Sequence, residues 1–156
     1  METAHFDFSG EFQTEDIMSL NHSRIISRLC VALDRYDTDY DTFPELELEL
    51  STGKCKPDVC IYPNLPVDWY NDTVFFTQTP LIAVEILSPK QALSELTDKA
   101  FKQYFPAGVR VVWIIIPLFR TFQVLFPGGE LTILSAQDTL RDASTGIEIS
   151  LPSVFR

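Results

Sequence analysis

Two apolar runs joined through one helix constrain this chain more than anything else in it: Leu81-Ile82-Ala83-Val84, closed by Glu85, and Val109 to Ile116 around Trp113. Neither shows the polar and apolar alternation of a half-wet strand. Each therefore reads as a strand buried on both faces, which requires cover on both sides of its sheet. Ser88-Pro89 breaks the first run and begins a helix through about Phe105, ended by Pro106 and Gly108. Strand, helix and strand in that order predict a right-handed crossover within a mixed sheet.

The remaining segments fit around this unit. Residues 1–18 read as an N-terminal arm or edge strand, with Phe6, Phe8 and Phe12 at even positions among acids. From Ser19 the pattern is helical: Ser19 or Asn21 can cap, and His22, Ile25, Ile26, Leu29, Leu33 and Tyr36 recur at intervals of three and four. An acidic turn, Asp37 to Asp41, ends that helix. Leu46, Leu48 and Leu50 alternate with Glu47 and Glu49, the mark of a strand with one wet face. Ser51 to Lys54 is a hairpin turn into a second strand, Val59 to Tyr62, opened by Asp58. Pro63 to Pro80 is a long connection carrying Trp69, Tyr70, Phe75 and Phe76, which reads either as a lid or contact surface or as a local aromatic cluster. Phe122, Val124 and Phe126 alternate in a further strand, and Gly128-Gly129 turns into Leu131 to Leu134. Residues 19–156 thus make one α/β (α+β) domain, a mixed central sheet flanked by helices.

Composition narrows the class. No apolar run approaches the roughly 18 residues of a membrane span, and the acidic, polar start is unlike a signal peptide, so a cytoplasmic protein with no membrane partner is expected. Cys30, Cys55 and Cys60 are odd in number and lack zinc-knuckle spacing. On an extended segment Cys55 and Cys60 would point to opposite faces. A net charge of −10 argues against indiscriminate nucleic-acid binding, which is mostly phosphate neutralisation. The charges are uneven, however. Asp34 to Glu49 holds seven acids and one base, whereas Lys99 to Arg120 holds four bases and no acid, so one surface can still face phosphates.

Asp58 and Glu85 carry the chemistry. Each sits where a buried strand should lie, and carboxylates on neighbouring strands repel unless they share a proton or a cation. Hard oxygen ligands point to Mg2+ or Mn2+ rather than zinc. On the Glu85 strand, positions 85 and 87 share a face about 7 Å apart, and position 87 is leucine, so a positive charge must come from the next helix. There Leu93, Leu96, Ala100 and Tyr104 mark the buried face. Lys99 falls on its flank and Lys102 nearly opposite, at about 100° per residue, with Lys90 a third option of shorter reach. Glu45 and Glu47 read as further carboxylates or as a strand's wet face. His22, beside an apolar stripe, reads as a packing or a catalytic histidine.

These residues resemble the Uma family, restriction-endonuclease-like proteins abundant in cyanobacteria, within the PD-(D/E)XK nuclease superfamily. The likeness runs from Asn21-His22-Ser23-Arg24-Ile25-Ile26 through Pro57-Asp58-Val59 and Val84-Glu85-Ile86-Leu87-Ser88-Pro89 to Ala107-Gly108-Val109-Arg110 and Trp113-Ile114-Ile115-Ile116-Pro117. It implies a restriction-endonuclease-like core, one or two divalent ions at Asp58 and Glu85 with the backbone carbonyl of Ile86 a natural further ligand, and an active-site lysine on the helix after the strand, at Lys99. Counted from Ser88-Pro89, Lys99 falls where the family lysine is expected; counted back from Tyr104, the interval is one residue longer. The aspartate that often precedes the proline after the tryptophan strand is Ile116 here.

The function expected from the resemblance is divalent-metal-dependent hydrolysis of DNA phosphodiester bonds, with Asp58, Glu85 and Lys99 catalytic. A homodimer is expected because cutting both strands needs two sites. The alternatives are a catalytically inactive nuclease-fold protein acting as a metal-binding or interaction module, and a core whose two acids are hydrogen-bonded structure only.

Overall fold

The computed structural model describes residues 18–156; the arm expected of residues 1–18 lies, but for Met18, outside the described residues. Ten strands and three helices follow in the order α1 (Leu20–Asp34), β1 (Tyr40–Pro44), β2 (Leu48–Leu50), β3 (Gly53–Cys55), β4 (Val59–Pro63), β5 (Ile82–Ile86), α2 (Leu93–Asp98), β6 (Val111–Ile116), β7 (Thr121–Leu125), β8 (Leu131–Leu134), β9 (Thr139–Arg141), β10 (Glu148–Ser150) and α3 (Leu151–Val154). Six strands form the central sheet in the order β1-β4-β5-β6-β7-β8. Only β5 and β6 pair in parallel, with Val84 against Trp113 and Glu85 against Ile114. The crossover expected from the two apolar runs is thus the single parallel step in a mostly antiparallel α+β sheet.

Both runs are buried on both faces, β6 throughout and β5 including Glu85. Alternate residues sort into two cores. Ile82, Val84, Ile86, Trp113 and Ile115 meet Ile25, Leu29 and Leu33 of α1 and Leu151 and Val154 of α3. Ala83, Ile114, Cys60 and Tyr62 meet Leu96, Ala100 and Tyr104 on the other side, together with Leu48 and Leu50. Burying each aliphatic side chain of α1 contributes about 1.5–3 kcal/mol, and Leu29→Ala would cost about 2–5 kcal/mol because Leu29 is fully buried. Ser19 caps α1, its Oγ accepting the His22 backbone N–H at 3.1 Å.

Four expectations need correction. The acidic segment Asp37 to Asp41 is a turn only at its start: β1 begins at Tyr40 and pairs with β4, and Asp41 Oδ2 accepts the Leu65 N–H at 2.7 Å, so its carboxylate ties down the following loop. The strand read from Leu46 starts at Leu48 and belongs to a separate two-stranded β2–β3 sheet, which leaves Glu45 and Glu47 in the connection ahead of it. Cys55 and Cys60 do not face apart. Residues 56–58 interrupt the extended chain, and both thiols pack against the second core.

The fourth correction concerns the helix after β5. It begins at Leu93, not Ser88, and after Asp98 its bonding widens into a π-helical turn, Lys99–Tyr104. The Phe105 N–H accordingly reaches the carbonyl of Ala100, five residues back, at 2.9 Å. Beyond Leu134, where local patterning marks no element, a β9–β10 hairpin and α3 complete the first core. No helix among the described residues is long and apolar enough to cross a membrane.

Candidate active site

The ladder between β4 and β5 pairs Val59 with Val84. One step further, this register sets Asp58 opposite Glu85, so the two carboxylates share the sheet face that carries Ala83 and Cys60. One more step sets Pro57 opposite Ile86. Proline brings no N–H to the ladder, so it cannot occupy the Ile86 carbonyl. The Ile86 N–H is taken instead by the Asp58 side chain, whose Oδ2 accepts it at 2.7 Å. The Asp58 carbonyl in turn accepts the Glu45 N–H at 3.0 Å. Sheet pairing thus stops at the point where the acids begin.

Glu85 is 3% exposed. Burial, and then the charge of Asp58, push its carboxyl up to about 8, against the opposing pull of Lys99 and of the Tyr104 hydrogen bond. Lys99 Nζ lies 3.9 Å from Glu85 Oε1, and the Tyr104 hydroxyl donates to the same oxygen. Burial first and the Glu85 charge second raise the Tyr104 phenol well above its ordinary value, which keeps its proton in place for that bond.

The π turn accounts for this convergence. In an α-helix, residues five apart diverge by about 140° at ~100° per residue, so Lys99 and Tyr104 would face different surroundings. A turn bonded at five-residue intervals stacks them instead. The one-residue excess in the interval from Lys99 to Tyr104 is absorbed there.

The other sequence candidates are placed less centrally. Lys102 is 77% exposed by side chain and pairs with Asp98, and Lys90 is exposed on the loop before α2. Leu87 packs against the second core, on the Glu85 face as strand parity requires. Glu45 and Glu47 line the cleft above the acids, Glu47 paired with Lys56 at 3.7 Å. His22 reaches the centre: its Nε2 meets Asp58 Oδ1 at 3.1 Å.

The cleft has a volume of about 470 Å³, and several of its residues are not evident in the sequence. Lys54, Gln91, Gln103 and Phe75 line it. The β2–β3 hairpin is clasped to the π turn, Thr52 Oγ1 donating to the Gln103 carbonyl at 2.8 Å and Gln103 Nε2 to the Lys54 carbonyl at 3.0 Å. The Lys54 ammonium stands 4.3 Å from the centre of the Phe75 ring. Of the long connection, one part forms the aromatic cluster expected of it. Phe76 stacks edge-on with Tyr62 at 5.5 Å and is pinned to the β2 region, whereas Trp69 and Tyr70 are exposed.

Among the described residues no three His, Cys, Asp or Glu side chains converge as a ready-made metal cluster. Burial pushes the Cys55 thiol up to about 11 and Cys60 up to about 12, so neither offers a thiolate at neutral pH. The donors are two carboxylates beside a strand-end carbonyl, at the floor of a polar cleft. A hard cation that retains waters fits that set, because it needs few protein oxygens and removes the repulsion that raises Glu85.

Comparison with known proteins agrees with this architecture. A solved structure described as a "putative nuclease belonging to DUF820 from Anabaena variabilis ATCC 29413" superposes with a TM-score of 0.78, covering 95% of this chain and 87% of that one at 20% identity. The two chains therefore share one fold. No curated protein matches the chain. A family model, Uma2, described as "Putative restriction endonuclease", matches residues 4–152. That match spans nearly the whole sequence, and the chain belongs to the Uma2 family.

Proposed function

We propose that this chain is a divalent-metal-dependent DNA endonuclease, hydrolysing phosphodiester bonds with Mg2+ or Mn2+ held by Asp58, Glu85 and the Ile86 carbonyl. The observation that carries the reading is the opposition of Asp58 and Glu85 across the β4–β5 register with the Lys99 ammonium 3.9 Å from Glu85. The cation, when bound, supplies Lewis-acid polarisation of the phosphate and a water of lowered pKa.

The protein's own groups divide the remaining work. Lys99 offers positive charge to the phosphate oxygens as negative charge accumulates on them. Tyr104 holds Glu85 in place through its hydroxyl and supplies no proton to the reaction, since its phenol is pushed far from neutrality. Lys54, which also lines the cleft, brings a second ammonium to a bound strand. Concerted cutting of both strands of a duplex calls for two such sites, which a homodimer would supply.

The assay is cleavage of supercoiled and single-stranded DNA with Mg2+, with Mn2+ and with chelator. Cleavage by the parent that is lost with chelator and in Asp58→Ala supports the reading; cleavage untouched by Asp58→Ala rules it out. Binding of metal without cleavage of any DNA favours the inactive interaction module instead.

A further inference from the structure

His22 is the one polar residue among the buried positions of α1, on the stripe it shares with Ile25, Leu29 and Leu33. It is 3% exposed, and its Nδ1 is buried without a hydrogen-bond partner among the described residues. An aliphatic side chain would fill that stripe without stranding a nitrogen, so the ring is an expensive choice for packing alone. Its polar contact is Asp58 Oδ1, at 3.1 Å.

Asp58 is therefore gripped twice. Nε2 of His22 serves one carboxylate oxygen and the Ile86 N–H serves the other, at 2.7 Å. The donors come from separate elements, α1 and β5, so together they fix the plane of the carboxylate as well as its position. The grip removes a definite freedom: the Asp58 side chain is 17% exposed and borders the cleft, so without donors on both oxygens it would be free to turn outward. The first turn that carries His22 is itself set by the Ser19 cap.

We propose that His22 is a positioning residue of this site, whose Nε2–H holds Asp58 against Glu85 so that both carboxylates face one point. The grip on Asp58 stands by itself; its use in metal binding rests on the nuclease reading. Holding requires an N–H donor at this reach and no transfer of a proton, so a glutamine amide can replace the ring where a phenyl cannot.

The test compares His22→Phe, His22→Leu and His22→Gln with the parent. In the metal-free protein, exchange of the Ile86 amide reports whether Asp58 still accepts its proton. We expect exchange to quicken in the phenylalanine and leucine variants and to return close to the parent rate in the glutamine variant, with melting curves checking that all four proteins are folded. Mn2+ affinity by calorimetry should fall by about 10- to 100-fold in the first two and recover in the third. Unchanged Ile86 exchange in folded His22→Phe and His22→Leu overturns the inference. Failure of glutamine to restore exchange overturns it too. Should the parent neither bind Mn2+ nor cut DNA, the nuclease reading fails, and Ile86 exchange alone decides the positioning role.

Discussion

Lys99 and Tyr104, five positions apart, meet at a single oxygen, Oε1 of Glu85. A regular α-helix cannot bring residues at that interval to one atom, and the π turn does. Removing one exposed residue, Lys102, leaves the lysine and tyrosine four apart, which is the same-face interval of an α-helix. We expect this deletion to straighten the turn and keep metal-dependent cleavage within about threefold, because the two groups still share a face. Circular dichroism and plasmid nicking, measured side by side, check this outcome.

Replacing Lys99 by alanine removes the positive charge nearest Glu85. Cleavage should fall by about 10²- to 10³-fold, the usual cost of one preorganised charge-stabilising group. Lys102→Ala and Lys90→Ala should remain near the parent, because both side chains lie out in solvent. Steady-state rates for the three variants decide which lysine serves the site.

Glu85 makes stability depend on pH in a predictable direction. Its folded carboxyl is raised by burial and by Asp58 from 4.5 to about 8, so between those values the folded chain keeps a proton that the unfolded chain has released. Stability from this group is therefore fully present below about 4.5, declines as the pH rises towards 8 and is then flat. The slope is at most about 1.4 kcal/mol per pH unit for one proton. Urea midpoints at several pH values, compared with Glu85→Gln to remove contributions from the chain's other acids, should show the slope in the metal-free parent and not in the variant.

Tyr104→Phe deletes a donor that favours the ionised form of Glu85. The upper end of the same pH window should move upward. Urea midpoints at pH 7 to 9 check this, and an unchanged window would mean that the hydroxyl does not hold Glu85.

Gly108 closes the connection between the π turn and β6 with φ of +104°, a conformation that side chains resist. Gly108→Ala should cost about 1 kcal/mol or more, with metal affinity preserved, since the turn enters β6 at the Leu81 end of the β5–β6 pair, away from Glu85. Chemical denaturation gives the first number and calorimetry the second.

The legible part of this molecule is the part set by short-range pattern. Leu81–Val84 and Val111–Ile116 declare themselves through unbroken apolarity, and Asp58 and Glu85 through their places at the ends of such runs. Strand parity also gives Leu87 its face correctly. What the pattern hides depends on distant contacts. β1 begins inside an acidic segment, and its own Asp41 is acceptable there because it binds the Leu65 amide. Tyr104 reads as an apolar marker, and only the folded chain shows its hydroxyl on Glu85. Lys54 and Gln103 enter the cleft through a hairpin clasp that no local spacing encodes. Helical phase puts Lys99 on the flank of the buried face, and it lies 3.9 Å from Glu85 Oε1, but its convergence with Tyr104 comes from a widened turn that phase arguments do not contain.

Pro57 gives the sheet a boundary fixed by covalent chemistry. A ladder that ended by fraying would open and close with temperature, and the edge between paired strand and polar cleft would drift with it. The imino nitrogen at position 57 makes that edge permanent, because a missing hydrogen cannot be restored by cooling, salt or ligand. Pro57→Ala would return the hydrogen and let the strands zip one rung further, into the space where Asp58 now turns to the Ile86 amide.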